Sequence, residues 1–325
     1  MRAIVVTRPH DAEEVVSLEE NFDEHDLMPG DITIDVDFSS LNFKDALALS
    51  GRPGVVRAKR LIAGIDLVGI VTESDAPAFA KGDRVLVNGC GLGETHHGGL
   101  ASRARVKSEW VVPVPSVFTQ SQAAAIGTAG FTAMLAVKAL ERAGAGGEIL
   151  VTGAAGGLGS IAVMLLSRLG FRVVASTGRS SEHDRLRQLG ASEVIDRATL
   201  SEAGKPLQTQ RWGGAIDSVG GATLANVSAQ LAYGATVAVC GNAQSAEVPL
   251  SVYPLILRGV SLVGINSVET PRADRLDAWA RLAHDIDRDL LDSFTSTIGL
   301  ADAPAEAERM LAGDGRGRVV VDVRH

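Results

Sequence analysis

Hydrophobic and polar positions follow two different patterns along this 325-residue chain. Over roughly the first 120 residues, short alternating segments are separated by glycine-containing turns. The stretch DITIDVDFSS at residues 31–40 is an example. The apolar residues expected on one face of its strand are Ile32, Ile34, Val36 and Phe38. This part of the chain is therefore predicted to be an irregular, β-rich domain.

From about residue 122 the pattern changes to apolar strands that alternate with helices. The predicted strands begin near Ile149, Val173, Val194, Ala215, Thr236 and Val260. One predicted helix spans residues 160–169, with Gly170 as its C-cap. The alternation predicts an α/β fold, with a doubly wound parallel sheet and right-handed crossovers. The tail is predicted to hold a helix around residues 274–287 and a last strand in GRVVVDV.

The segment ILVTGAAGGLGS at residues 149–160 places a glycine-rich turn between a strand and a helix. In a dinucleotide-binding fold such a turn lets the backbone approach a pyrophosphate at the N-terminus of a helix. Gly156 and Gly159 occupy the positions for close phosphate approach and for helix–strand contact. The predicted pyrophosphate contacts are Ala155, Gly156, Gly157 and Leu158. The alternative interpretation is a glycine-rich turn without a ligand.

The second predicted strand indicates which dinucleotide binds. An acid at its end would hold the ribose 2′-hydroxyl of NAD, but FRVVASTGRSS contains none before Glu182. Arg179, with Thr177 and Ser180, instead offers hydrogen bonds and a positive charge to a 2′-phosphate, and Gly178 beside them is also predicted to contact the cofactor. NADPH is therefore the predicted cofactor, unless Arg179 is simply a solvated loop residue.

Later strand ends should also face the cofactor. The residues predicted there are Asn242 after the fifth strand, and Ile265 and Ser267 after the sixth. Arg197, after the third strand, is placed either over the adenine or in an exposed ion pair. Cys240 is interpreted as a small buried apolar side chain.

Composition narrows the class of protein. The formal charge is −8 and the chain has no basic tail, which argues against nucleic-acid binding. Two unaccompanied cysteines fit a reducing compartment. The N-terminus, with Pro9 and acidic residues beyond it, does not suit a signal peptide, and no apolar stretch approaches a membrane span. We expect a cytoplasmic protein that has no membrane contact.

Nearly the whole chain resembles the medium-chain dehydrogenase/reductase superfamily, in its acrylyl-CoA reductase and YhdH-type quinone oxidoreductase branch. The resemblance is carried by SSLNFKDALALSG, GIDLVGIV, GLGETHHGGLASRARVK, IGTAGFTAML, VTGAAGGLGS, STGR, LILRGVSLVGINSV and GRVVVDV. It implies a GroES-like catalytic domain at residues 1–121, interrupted by an NADPH-binding domain at 122–269 and completed by residues 270–325. It also implies a homodimer, formed through the last sheet strand near residues 260–263.

The chain departs from the branch at three positions. Phe43, expected against the nicotinamide, stands where relatives have Tyr, so this position supplies no hydroxyl. Ala63 replaces a proline, and Asn242 stands at a position that is commonly apolar. The superfamily's alcohol dehydrogenases bind catalytic zinc through Cys and Gly-His-Glu positions that NFKD and Gly64–Asp66 replace here. We therefore expect an enzyme without metal.

Without a metal, reduction of an activated C=C bond is the favoured chemistry. Asn42 is predicted either to polarise the acceptor carbonyl or, with Asp45, to cap the following helix. Asp66 is interpreted as a loop anchor rather than an acid, and bound water is a candidate proton donor. The basic segment RPGVVRAKR suggests a coenzyme A thioester held by Arg57 and Arg60, although a solvated loop fits it too. The predicted reaction is acrylyl-CoA to propionyl-CoA. A quinone or enone oxidoreductase and a non-enzymatic NADPH-binding protein are the alternatives.

Overall fold

The computed structural model describes residues 1–8, 14–52 and 54–325. Pro9, and Pro53 within the basic segment, lie outside the described residues. The chain divides into two compact units. The first comprises Met1–Phe131, Ser267–Ala283 and Arg288–His325, and the second Thr132–Asn266 and His284–Asp287. The functional domain limits predicted at residues 121/122 and 269/270 stay a prediction.

Strands predominate in the first part of the described residues, and strands alternate with helices from residue 148 onward. The strands are β1 (Ala3–Thr7), β2 (Val15–Glu19), β3 (Ile32–Leu41), β4 (Arg60–Ile62), β5 (Asp66–Ser74), β6 (Arg84–Asn88), β7 (Arg103–Val106), β8 (Val112–Pro113), β9 (Glu148–Val151), β10 (Arg172–Thr177), β11 (Glu193–Asp196), β12 (Trp212–Asp217), β13 (Thr236–Val239), β14 (Ser261–Gly264), β15 (Thr295–Gly299) and β16 (Arg318–Asp322). The helices are α1 (Phe43–Leu49), α2 (Gln120–Arg142), α3 (Gly157–Arg168), α4 (His183–Gln188), α5 (Ala198–Ser201), α6 (Gly221–Gln230), α7 (Tyr253–Arg258), α8 (Arg272–Asp285), α9 (Arg288–Ser293) and α10 (Ala303–Leu311).

The first unit is built on two mixed or antiparallel sheets. The larger sheet has the order β15-β16-β3-β5-β6-β8, with β7 added to β3, and the smaller has the order β2-β1-β4. Strand β16 pairs antiparallel with the last residues of β3, so the C-terminal end of the chain completes a sheet begun near its N-terminus.

The alternation predicted for β3 holds for only part of the strand. Ile32, Ile34 and Val36 are buried in one apolar cluster. The register with β5 shifts between Val36 and Phe38, which marks a bulge. Beyond it Phe38 is only half-buried, whereas Ser39 and Ser40 are fully buried. The placement of Phe38 on the buried face was therefore wrong, because a bulge reverses the faces of the residues that follow it.

The second unit contains one six-stranded sheet of order β11-β10-β9-β12-β13-β14. All of its strand pairs are parallel. Starting from the central β9, the chain runs outward on one side, returns, and runs outward on the other. This is the doubly wound order of a Rossmann-type fold, whose ligands bind where the strand order reverses. The fold class predicted from the sequence is confirmed.

Helix α2 corrects the expectation that no segment approaches the length of a membrane span. Among the described residues this helix is long and apolar enough to cross a membrane by length and composition, although 83% of its most apolar stretch is buried inside the protein. Its backbone also leaves helical geometry at Gly127, where φ is 48° and ψ is −157°. Burial of this kind is what a core helix of a globular unit shows.

Candidate cofactor site and buried carboxylate network

The glycines of the turn after β9 allow close contacts that a side chain would block. Gly153 has a φ of +59°, which favours glycine, and a Cβ at Gly159 would lie 2.4 Å from the Gly153 carbonyl oxygen. At Gly156 a Cβ would meet only that same oxygen, at 3.3 Å. Gly153 therefore serves the tight turn and Gly159 the helix contact, while Gly156 is the least crowded of the three.

Helix α3 begins directly after this turn, with Gly156 as its N-cap. The first N–H groups of a helix have no acceptor within it, and the helix dipole adds positive potential there. Gly157 and Leu158, two of the predicted contacts, belong to this first turn, and Ala155 precedes it. The residues present fit a pyrophosphate group.

The carboxyl end of β10 carries the residues predicted for the 2′-phosphate. Arg179 donates from Nη2 to the Ala155 carbonyl oxygen at 3.2 Å, and its backbone N–H donates to Oγ1 of Thr177 at 3.2 Å. The side chain of Arg197 lies directly against Gly178, where a Cβ would be 2.4 Å from the arginine Nε. Two guanidinium groups thus flank the end of this strand, beside the glycine-rich turn.

The remaining predicted cofactor residues lie at other strand ends. Asn242 is exposed after β13, and the half-buried Ile265 follows β14 and donates its N–H to Val239 O at 2.9 Å. Ser267 and Phe43 belong to the first unit. Phe43 opens α1 and is 45% exposed. Cofactor binding at all these positions stays a prediction.

In the first unit, a buried network of hydrogen bonds surrounds Asp66, the first residue of β5. One carboxylate oxygen accepts from Ser40 Oγ at 2.7 Å and from Asn42 Nδ2 at 2.8 Å. The other accepts from Asn88 Nδ2 at 2.8 Å and from Thr128 Oγ1 at 2.6 Å. The backbone N–H of Thr128 donates to both oxygens. A buried carboxylate needs this degree of pairing to offset its lost hydration.

The break in α2 makes room for this network. A Cβ at Gly127 would lie 2.6 Å from Asp66 Oδ2 and 2.7 Å from Ser40 Oγ. The break also frees the N–H of Thr128 to donate to Asp66. The Asp66 carboxylate therefore lies at the N-terminus of the second part of α2. Negative charge at a helix start is electrostatically favourable.

Asn42 and Asp45 connect this network to α1. Asn42 is the N-cap, and its backbone N–H donates to Asp45 Oδ2 at 2.9 Å. Its Nδ2 donates to the same oxygen at 3.1 Å and to Asp66. Burial, and secondly the charge of Asp66, raise the pKa of Asp45 to about 7. This geometry suits the capping interpretation; polarisation of a substrate carbonyl by Asn42 stays a prediction.

Arg318, the first residue of β16, supplies the positive charge of the network and is only 2% exposed. It donates to Ala125 O at 2.6 Å, to Ser40 Oγ at 2.9 Å and to Asn42 Oδ1 at 3.2 Å. Burial lowers the pKa of its guanidinium. With Arg318 on its oxygen and two carboxylates on its nitrogen, the Asn42 carboxamide has a fixed orientation.

The donor set around Asp66 does not fit a zinc ion. Both of its oxygens are occupied by hydrogen-bond donors, and no group of three or more His, Cys, Asp or Glu side chains in the described ranges converges for a metal. His96 and His97 bond to backbone atoms: Nδ1 of His97 accepts from the Ile62 N–H at 3.1 Å.

The two arginines predicted to hold a coenzyme A thioester differ in their surroundings. Arg60 pairs with Glu19 at 2.7 Å and with Asp26 at 3.4 Å, and its guanidinium lies 4.6 Å from the ring centroid of Phe22. Arg57 is exposed, and its backbone N–H donates to Glu94 O at 2.8 Å. The charge of Arg60 is therefore already balanced, which leaves Arg57 as the better candidate.

Several residues of these sites were not predicted from the sequence. Arg318 could have been noticed as a lone cation that opens an otherwise apolar strand, and Gly127 as a glycine within a helical pattern. Ser40, Asn88 and Thr128 carry no such signal, because their role depends on contacts distant in sequence. Arg185 and Glu182, beside the glycine-rich turn, were also missed.

Comparison with known proteins places the chain in a family. Residues 28–116 match the family model described as the alcohol dehydrogenase GroES-like domain, and residues 157–284 match that described as zinc-binding dehydrogenase.

Individual relatives agree over nearly the whole chain. The chain is 48% identical over 307 residues to a protein of Escherichia coli named probable acrylyl-CoA reductase AcuI, covering 94% of each. It is 43% identical to acrylyl-CoA reductase AcuI of Ruegeria pomeroyi, over 99% of this chain and 98% of that protein. The crystal structure of the YhdH oxidoreductase from Salmonella enterica, in complex with NADP, superposes with a TM-score of 0.96 at 45% identity, covering 99% of this chain and 100% of that one. The chain belongs to the acrylyl-CoA reductase and YhdH-type family of the medium-chain dehydrogenase/reductase superfamily.

Proposed function

We propose that this protein is an NADPH-dependent oxidoreductase that reduces the activated C=C bond of a short enoyl-CoA thioester, namely acrylyl-CoA to propionyl-CoA. The observation that carries this proposal is the 43–48% identity, over nearly the full chain, to relatives named acrylyl-CoA reductases. The glycine-rich turn beside Arg179 supports the choice of cofactor.

NADPH would be held along the ends of the parallel strands. Ala155, Gly156, Gly157 and Leu158 would hold its pyrophosphate, and Thr177, Gly178 and Arg179 its 2′-phosphate. Arg197 would lie over the adenine. Phe43, Asn242, Ile265 and Ser267 are proposed to contact the nicotinamide half. When bound, NADPH supplies a hydride for the β-carbon of the acceptor.

The residues of this chain would then deal with the negative charge that develops on the thioester carbonyl. Asn42 is proposed to donate a hydrogen bond to that oxygen. Both hydrogens of its carboxamide already point to carboxylates, so this role requires it to give up one of those bonds. Phe43 has no hydroxyl to offer, and we propose that bound water protonates Cα.

The coenzyme A part would contribute binding energy remote from the reacting carbons. Arg57 and Arg60 are proposed to hold its phosphates, with Arg57 carrying most of the effect because Arg60 is already paired. Remote binding can position a small acyl group and so raise the rate of a weakly bound acceptor.

The deciding experiment follows NADPH oxidation with acrylyl-CoA, crotonyl-CoA and several quinones at matched concentrations. We expect acrylyl-CoA to have the highest kcat/KM, with longer enoyl chains poorer. Rapid turnover of quinones with inert acrylyl-CoA would replace the thioester function by that of a quinone or enone oxidoreductase. Absence of turnover with every electrophile, alongside tight NADPH binding, would indicate a non-enzymatic NADPH-binding protein.

We further propose a cytoplasmic homodimer that pairs through β14. This strand is an edge of the parallel sheet, and nearby on α7 Ile256 is 72% and Leu257 59% exposed. An exposed edge strand with apolar neighbours favours pairing with a second copy. Light scattering should give twice the mass of the chain, and a monomer would contradict this.

A further inference from the structure

Arg185 ties the segment after β10 to the glycine-rich turn. Its Nε donates to Glu182 Oε2 at 2.7 Å, its Nη1 to Ser160 Oγ at 3.0 Å and its Nη2 to the Ala155 carbonyl oxygen at 3.0 Å. Ser160 is fully buried in the first turn of α3, and the Glu182 side chain is only 4% exposed. One planar guanidinium thus bridges three separate parts of the proposed phosphate site.

The Ala155 carbonyl oxygen is shared by two arginines. Arg179 reaches it at 3.2 Å and Arg185 at 3.0 Å. If Arg179 turned its guanidinium to a 2′-phosphate, Arg185 would still hold the turn. We propose that Arg185, anchored by Glu182, is a positioning residue that keeps the glycine-rich turn in place for the pyrophosphate, and that it acts equally on NADPH and NADH. This inference rests on the proposed dinucleotide-binding function.

The surroundings of Arg185 distinguish it from a ligand of the 2′-phosphate. Each of its three nitrogens already donates to a protein oxygen, and the Glu182 carboxylate at 2.7 Å balances its charge. A rigid fork with three fixed acceptors suits arginine and not lysine, whose ammonium is a single point charge. Arg185→Lys therefore keeps the positive charge beside Glu182 while removing the bridge, whereas Arg185→Ala would also remove that charge from beside a buried carboxylate.

The test measures dissociation constants for NADPH and NADH by calorimetry on the full chain. We expect Arg185→Lys to weaken both nucleotides by the same factor, about five- to tenfold, with the ratio of the NADPH to the NADH dissociation constant unchanged. Ser160→Ala, which leaves the Arg185–Glu182 pair intact, should shift both constants in the same direction by less. The matched control is Arg187→Lys, because Arg187 makes an equivalent but exposed pair with Asp184 at 3.0 Å on the same helix. This control should change neither constant.

Two outcomes would overturn the inference while leaving the proposed function in place. A loss confined to NADPH would make Arg185 a direct ligand of the 2′-phosphate, and unchanged affinity for both nucleotides would show that the bridge does not position the turn. If the unmodified protein bound neither nucleotide, the proposed function itself would fall, and this inference with it. If Arg185→Lys lowers the thermal unfolding midpoint, the dissociation constants of Ser160→Ala become the test. Unchanged constants for both nucleotides in Ser160→Ala would then contradict the inference.

Discussion

The carboxamide nitrogen of Asn42 lies 2.8 Å from a carboxylate oxygen of Asp66, which joins the N-cap of α1 to the first residue of β5. Because Arg318 holds the carboxamide oxygen of Asn42 at 3.2 Å, this side chain cannot rotate without breaking several buried bonds. A substitution of Asn42 therefore also disturbs Asp66, and lost activity alone would not identify Asn42 as the residue that polarises the acceptor.

Arg179→Ala should erode the preference for NADPH and leave NADH binding nearly unchanged. A charge-assisted contact to the 2′-phosphate contributes roughly 1.5–3 kcal/mol, or about 10–150-fold in affinity. Titration of both nucleotides against wild type and variant measures this. Equal losses for both would show that Arg179 acts elsewhere, for example by holding the turn through Ala155.

Replacing Arg57 and Arg60 together by alanine should raise the KM for the CoA ester by about tenfold, or roughly 1.4 kcal/mol. Most of the effect should reside in Arg57→Ala, because Arg60 is paired with Glu19 and Asp26. Steady-state kinetics of the double variant and of both single variants measure how much of the rise in KM each arginine contributes. Small quinones, which lack the phosphates, serve as the control substrates, and a similar rise in their KM would contradict a phosphate-binding role.

Asp45 should make the folded protein less stable as pH rises. Its pKa is 3.8 in the unfolded reference and about 7 in the fold, so the folded state holds the proton more tightly. The resulting penalty is absent below about pH 4, grows up to about pH 7 and is complete above it. Asp45→Asn, which cannot ionise, should remove this slope.

Urea unfolding of wild type and Asp45→Asn across that pH range measures the difference between the two proteins. Burial lowers the pKa of His97, which makes stability rise with pH up to the ordinary histidine range; this contribution is present in both proteins and cancels. Asp274→Asn, at an exposed position in α8, is the matched control. Parallel stability curves for wild type and Asp45→Asn would contradict the prediction.

Gly127→Ala should lower the free energy of unfolding by about 3 kcal/mol or more, because the new Cβ would press on Asp66 and Ser40 within the buried network. Gly144→Ala is the control: Gly144 also has a positive φ, of +66°, but nothing lies within 4 Å of its Cβ position. That substitution should cost only about 1 kcal/mol. If denaturant unfolding gave equal losses for the two, backbone strain alone would explain the requirement for glycine at 127.

Activity should survive treatment with a chelator, and metal analysis should find no stoichiometric zinc. The expectation follows from the donors that already occupy both oxygens of Asp66. Loss of activity on chelation, with recovery on added zinc, would contradict it.

Local pattern determined the parallel sheet, the glycine-rich turn and the cationic end of β10. These features depend on residues within a few positions of one another: strand–helix periodicity, the glycines at 153–159, and a strand end without an acid at Thr177. Each feature depends on the side chains of neighbouring residues and on the backbone conformations that those residues favour. A single sequence was therefore enough to predict it.

Tertiary structure alone decided how Asp66 is held. Ser40, Asn88, Thr128 and Arg318 are brought to Asn42 and Asp66 by strands and a helix break up to 278 positions apart in the chain. Ser40, Asn88 and Thr128, each taken alone, fit an ordinary surface loop or strand, and only Arg318 carries a local signal. What makes them a unit is that a buried carboxylate costs free energy until donors from several elements converge on it, and such convergence depends on packing that local pattern does not carry.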